Sequence, residues 1–78
     1  MNQKIRQDES IGQNLRKLRY QKELSQEKLC AELQQRGYDI GRSTYAKYES
    51  GKLNIPMGLL RTLRNYYQCD YADFFDIK

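Results

Sequence analysis

Apolar residues recur along this chain every three or four positions, and Gly37, Gly41 and Gly51 cut that pattern into short pieces. Ile11, Leu15 and Leu18 make one stripe, Leu29 and Leu33 a second, and Tyr45 with Tyr48 a third. Leu59, Leu60, Leu63, Tyr66 and Tyr67 make a wider fourth. This spacing gathers side chains on one face of an α-helix. The chain has no valine and no alternating run long enough for a strand. A length of 78 residues therefore reads as a single all-α domain of short helices. Hydrophobic residues are 38% of the chain, below the usual 45–50% or so. The core is expected to be small, with every stripe facing one interior and no second domain for sensing or catalysis.

Start and stop signals place the helices. The first is expected from about Glu9 to Lys22, with Asp8 or Ser10 as its cap. Residues 1–8 before it are polar and expected to form a flexible leader, leaving 9–78 as the domain. Gly12 sits inside this helix at a cost of about 1 kcal/mol, which suggests a close backbone approach. Ser25 is an N-cap for a second helix, Gln26 to about Gln35, with Glu27 in its positive first turn. Gly37 is placed to close that helix in the left-handed conformation. A loop from Gly37 to Gly41 follows, with Ile40 as its apolar plug. The third helix spans roughly Arg42 to Ser50 and closes on Gly51. Pro56 opens the fourth as a first-turn proline, and Asp70 can cap a last short helix, Tyr71 to Phe75.

Charge narrows the function. Net charge is +4, and three of the ten acids, Asp70, Asp73 and Asp76, crowd the C-terminal end. The body of the domain is thus more basic than the whole, which suits a polyanion whose counterions are released on binding. With no histidine, Ser-His and Cys-His catalytic arrangements are ruled out. Cys30 and Cys69 are too few and too far apart for a metal cluster. The aspartates, spaced by three, fit a solvated face or a dimer rim better than a metal site. No enzyme activity, cofactor, metal or small-molecule ligand is expected. No apolar run is long enough to span a bilayer, and MNQKIRQDES lacks the apolar stretch of a signal peptide. Free thiols in a reducing cytoplasm are expected, with no membrane partner.

The most informative stretch runs from Leu24 to Gly51, LSQEKLCAELQQRGYDIGRSTYAKYESG. Two short helices flank a glycine-containing turn. The second is polar and positive on one side, through Arg42, Ser43 and Lys47, and aromatic on the other, through Tyr45 and Tyr48. A helix with one face anchored in a core and another bearing hydrogen-bonding side chains can enter a DNA major groove.

Here the chain resembles the lambda-repressor/Cro-like (XRE) helix-turn-helix family. IGQNLRKLR resembles its first helix, LSQEKLCAEL its second, STYAKYESGK its recognition helix, and CDYADFF its last. The resemblance covers about residues 9–75. It implies a compact five-helix DNA-binding domain with its helix-turn-helix at helices two and three. It also implies a sequence-specific transcriptional regulator, more often a repressor, that reads double-stranded DNA as a homodimer. By the resemblance Gln26 touches a phosphate and buttresses the recognition helix. Arg42, Ser43 and Lys47 make base contacts, and Thr44 contacts a nearby phosphate or base. Ser50, Lys52 and Asn54 grip backbone phosphates. Arg19 and Glu49 form a scaffold pair.

The sequence departs from the family at three points. The turn QQRGYDIG is about four residues longer than the usual one. It forms an extra helical turn or protrudes, in which case Arg36 and Tyr38 reach toward DNA or a partner. Gly41 stands where the family often has a capping Ser. Arg64 falls where a small core residue is expected, so either its stem lies along the surface, or the fourth helix is rotated slightly and Tyr66 shares the packing. An alternative is a helical protein-interaction module or antitoxin-like partner that keeps the fold, with the long turn and the aromatic C-terminus as its surface.

Overall fold

The computed structural model describes the backbone of residues 3–75 and the side chains of residues 11–75. Residues 1–2, at the start of the polar leader, and Asp76 lie outside the described residues. Among the described residues five helices follow one another: α1 Gln3–Gln21, α2 Gln26–Gln35, α3 Arg42–Glu49, α4 Met57–Tyr67 and α5 Ala72–Phe75. Among the described residues there is no strand.

α2 has the ends its signals indicated, and the Ser25 side chain accepts the Lys28 N–H at 3.0 Å. α1 instead begins at Gln3, so Asp8 and Ser10 lie inside the helix rather than at its start. The segment QKIRQDES is rich in good helix formers and holds no Gly or Pro. Extending a helix already nucleated by packing is far easier than starting one. Ser50 is the C-cap of α3, and Pro56 is the N-cap of α4 rather than part of its first turn. α5 starts at Ala72 rather than Tyr71. At that end the side-chain acceptor is Asp73, whose carboxylate takes the Asp70 N–H at 3.0 Å.

Each of the first four helices ends on a residue with positive φ: Glu23 at 57°, Gly37 at 94°, Gly51 at 81° and Gln68 at 56°. The same paired hydrogen bonds close three of them. Tyr38 N–H reaches Leu33 C=O at 2.9 Å, Lys52 N–H reaches Lys47 C=O at 2.9 Å, and Leu24 N–H reaches Arg19 C=O at 3.1 Å. These are Schellman closures, and they satisfy carbonyls that a helix end leaves free. Glycine holds two of them without strain. Glu23 and Gln68 are held because the next residues, Leu24 and Cys69, pack against the core.

The core joins α1 to α3 and α5, and α2 to α3 and α4. Leu15, Leu29, Leu33, Tyr45, Leu59, Leu63 and Phe74 are fully buried. Ile40 plugs the interior as expected, and Cys30 is buried in the same cluster. Leu18 and Tyr48 are half-buried at its edge. Asn14 Nδ2 donates to the Phe74 carbonyl at 2.7 Å, tying α5 to α1. Arg64 is half-buried, with its guanidinium 5.1 Å from the Tyr71 ring centre, while Tyr66 packs against the core. The Arg64 side chain thus lies over Tyr71 while Tyr66 shares the packing.

Gly58, in the first turn of α4, has ordinary space: a Cβ there would lie 3.7 Å from Tyr38 Cε2. Gly58→Ala is expected to stabilise the domain by about 0.5 kcal/mol. Thermal denaturation followed by circular dichroism should show a rise of a few degrees. A fall would contradict the packing described.

Candidate nucleic-acid interface

α3 has a held side and an open side. Tyr45 and Glu49, one turn apart, are buried, while Ala46 and Tyr48 are half-buried. Arg42, Ser43, Thr44 and Lys47 are all exposed. Ser43 and Lys47, four apart, lie on the face opposite Tyr45 and Glu49, with Thr44 beside them, while Arg42, three before Tyr45, is exposed at the first turn of the helix. Tyr45 is thus a core residue, and Tyr48 packs partly buried against the same core.

Glu49 anchors the held side. Its carboxylate accepts two bonds from Arg19, from Nε at 2.8 Å and from Nη2 at 3.0 Å. Arg19 Nη1 also donates to the Leu24 carbonyl at 2.8 Å. Both partners are buried, at 7% exposure for Arg19 and 2% for Glu49. Gln26 Nε2 donates to Glu49 Oε1 at 3.0 Å, joining the first residue of α2 to the last of α3. Arg16 stands 3.6 Å from the same oxygen with its side chain half exposed. Sequence reasoning missed Arg16, although its place three residues before Arg19 puts it on the same helix face. Burial alone pushes the Glu49 carboxyl up, but hydrogen bonds from Arg19 and Gln26 outweigh it and hold the group below its ordinary value. The bond to Glu49 likewise raises Arg19 against the opposing effect of burial.

Gly12 brings α1 against this end of α3. A Cβ at Gly12 would collide with the Glu49 carbonyl oxygen and come within 2.8 Å of Tyr48 O. The close backbone approach suggested by its position is therefore real, and the partner is the C-terminal end of α3.

Beyond α3 the chain folds back on itself. The Lys47 carbonyl accepts Lys52 N–H at 2.9 Å, Leu53 N–H at 3.3 Å and Ser50 Oγ at 3.2 Å. Ser50, Lys52 and Asn54 are exposed on this turn, and Gln26 is half-buried beside Glu49. The eight positions singled out in the sequence thus lie on α3, on the turn after it and at the start of α2. Seven of them are open to solvent.

The long turn does not protrude. Tyr38 is half-buried against Gly58, and Ile40 is buried. Gln34 Nε2 donates to the Ile40 carbonyl at 2.8 Å. The Arg36 guanidinium stacks 4.9 Å from the Tyr66 ring centre. Tyr38 and Ile40 thus turn toward the core, and Arg36, though exposed, lies over Tyr66 of α4. Gly41 caps α3 without a side-chain bond. Cys30 and Cys69 are free, and burial pushes both thiols up, away from the reactive thiolate.

Two helices joined by a glycine-closed turn, the second held inside and open outside, make a helix-turn-helix unit. The family model described as Helix-turn-helix matches residues 15–74, from α1 into α5. The chain belongs to this helix-turn-helix family, in its lambda-repressor/Cro-like (XRE) form, and is a DNA-binding regulator. No curated protein and no solved structure is similar enough to count as a match. Among the described residues no helix is long and apolar enough to cross a membrane.

Proposed function

We propose that the protein is a sequence-specific transcriptional repressor that acts in the cytoplasm, as a homodimer on its operator, with α3 in the major groove. The observation that carries this reading is the division of α3. Glu49 and Tyr45 hold one face to the core, the opposite face offers Ser43 and Lys47 with Thr44 beside them, and Arg42 is exposed at the first turn. In this reading Arg42, Ser43 and Lys47 meet base edges, and Thr44 meets a base or a nearby phosphate. Ser50, Lys52, Asn54 and Gln26 bind phosphates and set the register. Two copies would read half-sites about one helical turn of DNA apart.

Fluorescence-anisotropy titrations on selected duplexes at several salt concentrations test the reading. Arg42→Ala should weaken binding about tenfold and relax discrimination at one base step. Lys52→Ala should weaken all sequences about equally and lower the salt slope by about 1. A binding constant indifferent to salt would overturn the reading, because neutralised phosphates release counterions.

A further inference from the structure

The turn between α2 and α3 is pinned on its inner side and bare on its outer one. Tyr38 and Ile40 face inward, and the Gln34 side chain holds the Ile40 carbonyl. The segment has no helical structure and ends in extended backbone at Gly41, φ −92° and ψ 159°. Between the inward Tyr38 and Ile40, Asp39 is exposed, as is Gly41 after them. Asp39 makes no hydrogen bond or ion pair through its side chain among the described residues.

Asp39 stands three residues before Arg42, the first residue of α3. Between them Gly41 offers no side chain, although nothing in its surroundings demands glycine. Its φ is one that any residue adopts, and a Cβ would meet nothing within 4 Å. Glycine is also a weaker N-cap than Asp, Asn or Ser. The bare position leaves the approach to the first turn of α3 open.

A carboxylate on a surface that meets DNA is repelled by phosphates unless it accepts a hydrogen bond there. In the major groove the donors are exocyclic amino groups, and cytosine N4 is the one that carboxylates accept from. We propose that Asp39 is a specificity-determining contact, its carboxylate accepting from cytosine N4 beside the base pair met by Arg42. The proposal rests on α3 being the reading helix.

The test is selection from a pool of random duplex DNA with the unaltered protein, Asp39→Asn and Arg42→Ala, each first shown by circular dichroism to be folded. Asp39→Asn is expected to lose a cytosine preference at one base pair, by about tenfold, with the other positions unchanged. The same consensus from Asp39→Asn, with affinity for every duplex raised by one common factor, would overturn the proposal and leave Asp39 a simple repulsive charge. If Arg42→Ala also leaves the consensus unchanged, α3 does not read sequence and the proposed function falls with it.

Discussion

Replacing Gly12 with alanine is expected to lower the melting temperature of the domain by roughly 15 °C or more. In most helix interiors this exchange stabilises by about 1 kcal/mol. Here the sign reverses. The added methyl would strike the Glu49 carbonyl and press on Tyr48 O. Both obstacles are backbone, so no rotamer change can relieve the overlap. α1 must lift from α3, which also stretches the Arg19–Glu49 bonds. Overpacking of this kind costs about 3 kcal/mol, and each kcal/mol shifts the midpoint of a small domain by about 4–8 °C. Gly58→Ala is the matched control and moves the other way. An unchanged midpoint for Gly12→Ala would mean that α1 does not rest on the end of α3.

Removing one partner of the buried pair has the second large effect. Arg19→Met or Glu49→Leu alone should cost about 3–5 kcal/mol, because each leaves a buried charge without its counterpart. Such a loss is a large part of the total stability of about 5–15 kcal/mol usual for a folded domain. The double variant Arg19→Met/Glu49→Leu should recover most of it, and urea unfolding of all four proteins gives the coupling directly. Additive losses would show that the pair is not coupled.

The pair also sets part of the acid limb. The Glu49 carboxyl is held below its ordinary 4.5 in the folded chain, so the unfolded chain takes up its proton first. Its contribution is whole above that ordinary value and is lost as pH falls through the lower folded one. Glu49→Gln should flatten the fall in urea midpoint below about pH 4.5. An acid limb identical to that of the unaltered protein would exclude Glu49 as a source.

Much of this protein is written in local chemistry. Stripes at Leu29 and Leu33, the cap at Ser25 and the closing glycines at Gly37 and Gly51 act over one helical turn, and the structure keeps all of them. The polar and aromatic sides of α3 were visible for the same reason, since helical periodicity sorts residues by face. Where a local signal misled, the outcome differs. Asp8 and Ser10 are cap-type residues, yet α1 runs back past both to Gln3.

What the amino-acid sequence determined alone, then, is the helical class, the order of the elements and the face that α3 leaves open. Tertiary structure decided the rest. Glu23 and Gln68 adopt a glycine-like backbone because Leu24 and Cys69 are drawn into the core, a gain made elsewhere in the chain. The long turn lies flat because Tyr38 finds Gly58 and Arg36 finds Tyr66, partners at least twenty residues away. Gly12 acquires its meaning only when the end of α3 arrives against it. Local propensities act over a few residues and can be read in order. Contacts between distant residues depend on how the stripes come together, and only the assembled core settles that.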